Sequence, residues 1–436
     1  MKKLIKKYKM PKSVGWLIPG LEIKRWFLIS FIGLLFLVFG AMVLFNMQPV
    51  ILFLFDWLKS FAKTVPTDLT AGVFVIIGLI LFIKGWQNSN YSMFDIKDAR
   101  DKNAILESLY RRRKLNRGPK IVVVGGGTGL STMLKGIKKY TNNITAIVTV
   151  GDDGGSSGRL REEMGILPPG DIRNCITALA DDEDLVTELF RYRFKNGEGL
   201  EGHSFGNLFL TAMCAITGDM VRAVKESSKV LSIRGQVLPA TLDDMRLAAE
   251  MDDGSIVRGE SNIPESGKKI VRLFSEPSNC KALEDVLVAI AHADLIILGP
   301  GSLYTSVIPN LLVKDISRAI AAAKAKKIYI CNVMTQPGET DNYTVSDHLK
   351  AIIKHSGVNK IVDTVLVNDY LPNQCLDVYK AKNSYPVKID EDVIRKMGIK
   401  VYKKGVIDMN EGKFVRHSPR NLARAIYVWY RKQGKQ

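Results

Sequence analysis

The sequence has few cysteines and no cysteine-pairing motif. Five cysteines are scattered over 436 residues without a CxxC spacing: Cys175, Cys214, Cys280, Cys331 and Cys375. Most of them fall in apolar runs, which indicates buried free thiols in a reducing compartment rather than a disulfide framework. The sequence also contains no internal repeat and no low-complexity segment, so a repeat architecture is not expected.

A basic surface for nucleic acid is also missing from most of the chain. The net charge is +18, but residues 1–120 hold 20 Lys and Arg against 7 Asp and Glu. The remaining residues hold 42 basic against 37 acidic side chains, which is close to balance. The charge therefore belongs to the N-terminal region, and nucleic acid is not expected as a partner.

Two uncharged stretches predict an N-terminal membrane hairpin over residues 1–86. The first, 26–45, has no charged side chain over 20 residues, enough at about 1.5 Å per residue to cross a bilayer core of about 30 Å. The second, Leu69–Ile83, extends to a span of about 67–86. Between them, Pro49–Pro66 contains three charged side chains and is expected to lie in the membrane interface. A cleaved signal peptide or a buried core hairpin is the alternative.

The distribution of Lys and Arg sets the orientation of this hairpin. Eight precede the first span, two lie in the connecting segment, and ten lie in 84–120. The positive-inside rule then places both termini and the globular domain in the cytoplasm of a multi-pass cell-membrane protein. Residues 87–119 are interpreted as a basic linker, and the globular domain is expected over 120–436.

The globular domain is organised around KIVVVGGGTGLS, residues 120–131. Ile121–Val124 is a continuous apolar run, which predicts a strand buried on both faces of a parallel sheet. The first loop, defined here as Gly126–Gly129, follows and opens a helix. A helix N-terminus favours an anion, so Gly126, Gly127, Thr128 and Gly129 are predicted to bind phosphate. The dinucleotide fingerprint is incomplete, because Leu130 stands at the third glycine position.

The second loop, Gly151–Arg159, follows another predicted buried strand, 144–150. Asp152 and Asp153 are adjacent carboxylates that suit Mg²⁺ bridging a diphosphate. Gly154, Gly155 and Ser156 offer backbone N–H groups, and Arg159, with Arg161 beside it, offers a guanidinium for phosphate. Asp171 and Asn174, at a proline-glycine helix entry, are either helix caps or ligand contacts.

The third loop, Gly299–Ser302, follows the predicted strand 294–298. It is a second glycine turn that opens a helix, so Gly301 and Ser302 are further phosphate candidates. A G-x-S-x-G elbow is absent around Ser204, and His203 with Ser204 is therefore not expected to form a catalytic pair. Three loops at the ends of parallel strands are expected to converge on one crevice.

Strands that alternate with helices predict an α/β, doubly wound, mostly parallel Rossmann-like sheet. Residues 171–231 are helical in pattern throughout and are interpreted as a cap inserted after the second strand. Residues 236–274 predict short strands, and the chain is expected to end in a helix.

Six ordered motifs carry a resemblance to a known family. They are GGGTGLS, TVGDDGGSSGRLR, PPGDIRN, GHSFGNL, GPGSLYTS and CNVMTQPGET, within about 119–430. The sequence resembles the bacterial gluconeogenesis factor family of the YvcK type, within the CofD-like 2-phospho-L-lactate transferase superfamily. The first 118 residues lie outside the resemblance, and the membrane hairpin is a departure from the family's better-known members.

The resemblance implies binding of a UDP-sugar, notably UDP-N-acetylglucosamine, and regulation of cell shape and cell-wall synthesis during gluconeogenic growth. Cell-wall synthesis proteins are then expected partners. Carried over onto matching positions, the diphosphate or metal candidates are Asp152, Asp153 and Asp171. Asn207 joins the nucleotide-loop candidates, and Arg416 is a further UDP contact.

Two other functions stay open on the sequence alone. The transferase branch of the superfamily implies a Mg²⁺-dependent transfer of a phospho-group from a nucleotide-diphosphate-linked donor, which the paired aspartates would suit. The partial fingerprint of the first loop allows an NAD(P)-dependent Rossmann enzyme. The residues themselves indicate a phosphate site and do not separate binding from turnover.

Overall fold

The computed structural model describes residues 113–181, 183–370, 376–407 and 415–433, with residues 31–37, 48–62 and a few positions between 40 and 80. The chain divides into two compact units, Met1–Arg113 and Lys114–Gln436. Most of the two predicted spans and of the linker lies outside the described residues, so the hairpin stays a prediction. Among the described residues no single helix is long and apolar enough to span a bilayer; one bent pair, Phe205–Thr217 with Met220–Val230, meets the criterion by length and composition alone.

The described part of the chain contains ten strands in two sheets. Their bounds are β1 Ile121–Gly125, β2 Ile144–Val148, β3 Gln236–Pro239, β4 Arg246–Met251, β5 Ile256–Arg258, β6 Ile270–Glu276, β7 Leu295–Leu298, β8 Lys326–Ile330, β9 Thr364–Val367 and β10 Lys400–Lys403.

Seven of these strands form one parallel sheet, in the order β10-β9-β8-β7-β1-β2-β3. Ile121 pairs with Ile144 of β2 on one side and with Leu295 of β7 on the other. Every residue of β1, β7 and β9 is buried, as expected for strands covered on both faces. Counted along the chain, the first six strands follow the Rossmann order 3-2-1-4-5-6, with a seventh at the edge. The predicted α/β fold with a mostly parallel sheet is confirmed.

Helices connect these strands. Their bounds are α1 Gln48–Ala62, α2 Gly127–Ile137, α3 Gly155–Met164, α4 Pro169–Leu179, α5 Glu183–Arg191, α6 Phe205–Thr217, α7 Met220–Val230, α8 Asn262–Glu265, α9 Glu284–Ala291, α10 Ile308–Leu312, α11 Lys314–Ala322, α12 Val345–Ser356, α13 Leu376–Lys380, α14 Glu391–Lys396 and α15 Pro419–Gln433, with a π-helical turn at Leu303–Val307. The helix α1 begins one residue before the segment Pro49–Pro66, which was predicted to lie in the membrane interface, and ends inside it.

The segment predicted as a cap contains four helices, α4 to α7, and the irregular stretch 192–204 lies between α5 and α6. The first of them belongs to the core, because Ile172, Cys175 and Ile176 of α4 have no exposed surface. The next two are joined by aromatic packing, in which Phe190 of α5 makes edge contacts with Phe205 and Phe209 of α6. The chain thus passes through the core before it reaches the outer helices.

A second, smaller sheet lies between β3 and β7 in the chain. Its strands are antiparallel, in the order β5-β4-β6. The predicted short strands over 236–274 therefore belong to two sheets. β3 is the edge strand of the large sheet, and β4, β5 and β6 form the small one. The described cysteines Cys175, Cys280 and Cys331 are buried, Cys214 is half-buried, and all four are free thiols.

Candidate functional site

The first and third loops lie side by side where the strand order reverses. They leave the adjacent strands β1 and β7, and from there the chain builds outward in opposite directions. In an open parallel sheet this switch point forms a crevice that binds ligands. A cleft of about 470 Å³ opens here and is bordered by both loops.

Close backbone packing explains the glycines in these loops. A Cβ atom on Gly129 would lie 2.5 Å from the carbonyl oxygen of Pro300 and 2.9 Å from the Cα atom of Gly301. A Cβ atom on Gly126 would lie 2.6 Å from Oδ2 of Asp171. Any side chain at either position would push the two loops apart or displace the carboxylate, so the shape of the cleft depends on glycine there.

The start of α2 is already partly occupied by a carboxylate of the chain. Asp171 Oδ2 accepts a hydrogen bond of 2.7 Å from the N–H of Gly127. The sequence predicted this helix N-terminus as a phosphate site, and Asp171 takes one of its N–H groups. Burial raises the pKa of Asp171 to about 6, and the Gly127 N–H opposes that rise. The next residues, Thr128 and Gly129, also line the cleft, and the first N–H groups of a helix lack partners within it.

The helical turn after the third loop is capped in the same way. Glu339 Oε2 accepts from the N–H of Tyr304 at 3.1 Å, and Oε1 accepts from the hydroxyl of Thr305 at 3.2 Å. Burial raises the pKa of Glu339 to about 7. Ser302 accepts from Gln336 Nε2 at 2.7 Å. Both helix starts at the switch point are therefore held by acidic side chains from distant parts of the chain.

Three carboxylates line the cleft: Asp152, Asp171 and Glu260. Burial raises the pKa of Asp152. Burial, followed by the charges of Asp152, Asp153 and Asp171, raises the pKa of Glu260 to about 8. Gathered in one partly desolvated space, these groups favour either protons or a cation.

Asp153 does not line the cleft but fixes Glu260 in place. Its carboxylate accepts from the N–H of Glu260 at 2.8 Å, and from the N–H and hydroxyl of Ser261 at 3.0 and 2.8 Å. A Cβ atom on Gly259, whose φ is +98°, would lie 2.8 Å from Asp153 Oδ2. The second loop thus ties down the turn that carries Glu260 from the small sheet to the cleft.

The structure brings about half of the predicted residues into the cleft lining. Those residues are Gly126, Gly127, Thr128, Gly129, Asp152, Asp171, Gly301, Ser302 and Arg416. The predicted residues that do not line it are Asp153, Gly154, Gly155, Ser156, Arg159, Asn174 and Asn207.

Several residues of the second group support those of the first. Asn174 hydrogen-bonds the carboxylate of Asp171, and Ser157 hydrogen-bonds that of Asp152. Asn207 donates to Ser156 Oγ at 3.0 Å and reaches Ser157 Oγ at 3.5 Å. The side chain of Asn207 therefore acts on Asp152 through Ser157.

The arginines of the second loop are used within the protein. Arg159 donates to the carbonyl oxygen of Glu201 at 2.8 Å. Arg161 is buried and pairs with Asp244 and with the carbonyl oxygen of Met245. Both guanidinium groups hold elements together in the described structure.

His203 and Ser204 do not face one another as a nucleophile and base. His203 Nδ1 lies 3.0 Å from Ser156 Oγ. The hydroxyl of Ser204 accepts from Arg173 at 2.6 Å and caps α6 by accepting from the N–H of Asn207. These contacts tie both side chains to neighbouring elements of the described structure.

Sequence reasoning missed several residues of the cleft. They are Thr149, Glu260, Thr305, Ser306, Asn332, Gln336 and His417. Asn332 and Gln336 lie in the quoted motif CNVMTQPGET, which was a usable signal, and Asn332 Nδ2 donates to Gln336 Oε1 at 2.9 Å. Glu260 had no local signal, because it reaches the cleft only through the fold of the small sheet.

The residues present fit a Mg²⁺ ion that is shared with a bound phosphate. Among the described residues, no three His, Cys, Asp or Glu side chains gather to hold a metal by themselves. Mg²⁺ usually keeps several waters and binds through one or two carboxylates plus substrate phosphates. Asp152 and Asp171 are the carboxylates that would hold it, and the charge of Asp152 raises the pKa of Asp171.

Comparison with known proteins defines the class. The family model of 2-phospho-L-lactate transferase CofD matches residues 121–407, and the chain belongs to this family. It is also 50% identical over 310 residues to the gluconeogenesis factor of Bacillus subtilis (strain 168), across 71% of this chain and 97% of that protein. The resemblance seen in the sequence motifs is confirmed.

Two further relatives extend the match. A relative from Nostoc sp. (strain PCC 7120) is 51% identical over 420 residues, which is 95% of this chain and 92% of the relative. A crystal structure of a UPF0052 family member from Bacillus halodurans superposes with a TM-score of 0.68 at 50% identity, covering 71% of this chain and 99% of that one. A protein of this family can therefore fold without the N-terminal region.

Proposed function

We propose that this protein binds a UDP-sugar, UDP-N-acetylglucosamine in the first place, and regulates cell shape and cell-wall synthesis during gluconeogenic growth. The observation that carries the proposal is the meeting of two glycine loops at the switch point of a Rossmann-like sheet. A volume of about 470 Å³ lies within the range of small-molecule sites, about 300–1,000 Å³. Relatives named gluconeogenesis factor support the physiological part of the proposal.

In this proposal the diphosphate lies against the edge that the two loops form together. The first N–H groups of α2 that Asp171 does not take, at Thr128 and Gly129, line the same cleft as Gly301 and Ser302. A Mg²⁺ ion on Asp152 and Asp171 would neutralise the acidic side of the cleft when it is bound. The protein would then contribute backbone donors for the diphosphate and carboxylates for the cation.

The proposal includes tethering to the cell membrane, with the globular domain in the cytoplasm. The two uncharged runs and the lysine and arginine distribution around them support it. A tether of this kind would keep the nucleotide-sugar site close to cell-wall synthesis proteins, which are the proposed partners.

A Mg²⁺-dependent transferase is the second candidate, and one observation favours it. The carboxylates Asp152, Asp171 and Glu260 crowd one cleft, and their raised pKa values fit a site that takes a cation together with a nucleotide-diphosphate-linked donor. The alternative of an NAD(P)-dependent enzyme gains no such support. The dinucleotide fingerprint lacks its third glycine, because Leu130 stands at that position.

Calorimetry of the full-length protein with UDP-N-acetylglucosamine, with and without Mg²⁺, tests the first candidate. We expect binding that strengthens when Mg²⁺ is present, and we expect UMP, which lacks the diphosphate, to bind at least 10-fold more weakly. No heat at millimolar ligand would refute the proposal. Mass spectrometry of the recovered ligand after incubation with acceptors then separates a binding protein, which returns it unchanged, from a transferase.

A further inference from the structure

Two exposed arginines from different elements meet in the stretch 192–204. Arg159 of α3 donates from Nη2 to the carbonyl oxygen of Glu201 at 2.8 Å. Arg193 donates from Nη1 to the carbonyl oxygen of Gly202, the next residue, also at 2.8 Å. A Cβ atom on Gly202, whose φ is +79°, would lie 3.0 Å from Arg159 Nη2. The two guanidinium groups therefore lie at neighbouring carbonyl groups of one turn.

A third arginine approaches the same turn from the core. Arg173 of α4 is buried and donates to the hydroxyl of Ser204 at 2.6 Å and to Oδ1 of Asn174 at 2.9 Å. Ser204 is also paired with Arg193 in an isolated antiparallel bridge. Burial, followed by the charge of Arg193, lowers the pKa of Arg173, whereas the charge of Asp171 raises it by less. Arg193 and Arg173 are therefore close enough to repel one another.

Arg159, Arg173 and Arg193 are here called the arginine cluster. Within the described ranges, none of the three has a carboxylate oxygen within 4.0 Å, the distance that defines an ion pair. By contrast, the buried Arg161 pairs with Asp244. A guanidinium group carries five N–H donors, and the bonds to the turn use one each from Arg159 and Arg193. Most donors of these two exposed residues therefore remain open to a ligand from solvent.

The ionisation of His203, which lies in the same turn, is affected by the cluster. Its Nδ1 atom lies 3.0 Å from Ser156 Oγ. Burial, followed by the charge of Arg159, lowers the pKa of His203; Glu163 raises it, and Arg193 lowers it further. The cluster thus makes this part of the domain positive although one carboxylate lies near. Guanidinium groups gathered without a counter-ion are an arrangement that suits phosphate.

We propose that the arginine cluster binds a phosphate group, at a site separate from the edge formed by the two glycine loops. Guanidinium groups bind phosphate through parallel N–H···O bonds, and the open donors of Arg159 and Arg193 are suited to this. A bound phosphate would also offset the repulsion between Arg193 and Arg173. None of the three described arginines lines the cleft, so the inference goes beyond the proposed function and does not require a nucleotide.

The phosphate group can come from a soluble phosphate ester or from a lipid headgroup. Tyr192 and Leu200 lie in the same stretch of the chain as Arg193 and are exposed by 55% and 42%. The ring of Tyr192 packs edge-on against Phe194, with 5.3 Å between the ring centres. Exposed apolar side chains of this kind would contact the hydrocarbon part of a lipid, whereas a soluble ester would not use them. The chemistry that both sources share is a phosphate monoester.

Calorimetry of the full-length protein with two probes tests the site. The first probe is inorganic phosphate, and the second is dihexanoylphosphatidic acid, a water-soluble lipid with the same phosphate monoester. We expect Arg159→Gln and Arg193→Gln each to weaken binding about 10-fold, which is the size of one hydrogen bond to a charged group. A lipid that binds at least 10-fold more tightly than phosphate identifies a headgroup as the source, and equal affinities identify a soluble phosphate.

Arg222→Gln is the matched control. Arg222 is an exposed arginine of α7 that lies outside the cluster and pairs with Asp219 at 3.3 Å, so its removal should leave the affinity for both probes unchanged. Weakening of the same size in Arg222→Gln as in Arg193→Gln would mean that only net charge is sensed, and this would overturn the inference.

Two further outcomes decide the matter. Phosphate that binds equally well to unaltered protein, Arg159→Gln and Arg193→Gln lies elsewhere, for example at the glycine loops, and the inference would be wrong. No binding of either probe to unaltered protein at millimolar concentration would overturn it as well, even where a variant does not fold. Phosphate binding that depends on Arg193, in a protein that does not bind UDP-N-acetylglucosamine, would support the inference and refute the proposed function alone.

Discussion

Burial keeps the carboxylates of the cleft from ionising as readily as they would in water. Asp171 has a pKa of about 6 and Glu260 one of about 8, although Asp171 accepts a backbone hydrogen bond and lies near the charge of Arg173. The protein thus accumulates acidic groups where an anionic diphosphate is proposed to bind. Such an arrangement makes sense if a proton or a cation accompanies the ligand.

The first prediction concerns pH. Without divalent cations, the affinity for UDP-N-acetylglucosamine should fall about 10-fold from pH 6 to pH 8.5, because Asp171 and then Glu260 become charged and repel the diphosphate. With Mg²⁺ the trend should reverse, since protons compete with the cation. Calorimetry at several pH values measures the trend with and without Mg²⁺. The diphosphate of this ligand is a diester and does not titrate in this pH range, so the trends report on the protein.

Asp171→Asn is the matched variant for this experiment. Asparagine can still accept from the Gly127 N–H through its side-chain oxygen but cannot ionise. In this variant the fall in affinity between pH 5.5 and 7 should become smaller, because Asp171 no longer ionises. The fall in affinity near pH 8 should remain, because Glu260 still ionises there. A pH profile that is flat in unaltered protein would contradict the prediction.

The second prediction concerns the contact between the glycine loops. Gly129→Ala should weaken nucleotide binding at least 10-fold, because its Cβ atom would lie 2.5 Å from the Pro300 carbonyl oxygen. Helix propensity alone favours alanine here by about 1 kcal/mol, so any loss must come from that contact. Gly405→Ala is the control, since its nearest contacts would be 3.8 and 3.9 Å. Equal affinities in the two variants would count against the argument.

At the scale of elements, the small antiparallel sheet supplies one residue of the site. Its strands form a sheet of their own, and the turn after β5 places Glu260 in the lining of the cleft. Asp153, 107 residues away along the chain, holds that turn through three hydrogen bonds. A substitution at Asp153, which lies outside the small sheet, should therefore release the turn that carries Glu260.

The third prediction follows from this clamp. Asp153→Ala should weaken binding in the presence of Mg²⁺ several-fold, because the turn loses its acceptor and Glu260 its fixed position. Asp253→Ala removes a comparable acceptor, for Ser255, at the exposed turn between β4 and β5, and should leave the affinity unchanged. Isothermal titration gives the affinities, and thermal unfolding shows whether either variant loses stability overall.

Elements were predicted from the sequence more accurately than the contacts between them. Continuous apolar runs such as Ile121–Val124 and 144–150 predict buried strands, and the structure places β1 and β2 there. The helical pattern of 171–231 did not show that α4 enters the core, because an amphipathic pattern does not say what covers the apolar face. Boundaries shifted by one or two residues, as in 144–150 against Ile144–Val148 and 294–298 against Leu295–Leu298.

From the sequence, only those parts of the site that have a local sequence pattern could be predicted. Glycine turns after buried strands are visible in the sequence, and so the first and third loops were found. That Asp171 would take the Gly127 N–H depends on a contact across 44 residues, and the arrival of Glu260 depends on the small sheet. Neither has a local pattern, since both arise from tertiary packing.

At the scale of the whole molecule, the chain joins a folded α/β domain to an N-terminal region that carries most of the excess positive charge. Relatives from Bacillus subtilis and Halalkalibacterium halodurans match 71% and 70% of this chain, over 97% and 95% of their own lengths. The relative from Nostoc sp. matches 95% of it. The N-terminal region is thus shared by some members of the family.

The fourth prediction tests that region. The full-length protein should sediment with membranes and resist extraction by high salt, because two uncharged runs are expected to span the bilayer. Removal of residues 1–113 should release Lys114–Gln436 into the supernatant with its nucleotide affinity unchanged. Recovery of the full-length protein in the soluble fraction would refute the hairpin.

The position of β1 between β2 and β7 also determines when the cleft can form. Lys120 bonds to Asp294 across 174 residues, so the first loop stands alone until the strand before the third loop has paired with β1. Contacts this far apart form slowly, because a long loop must close first. A growing or refolding chain would therefore gain its ligand site late, and a nucleotide-sugar would stabilise the finished domain without speeding the earlier steps.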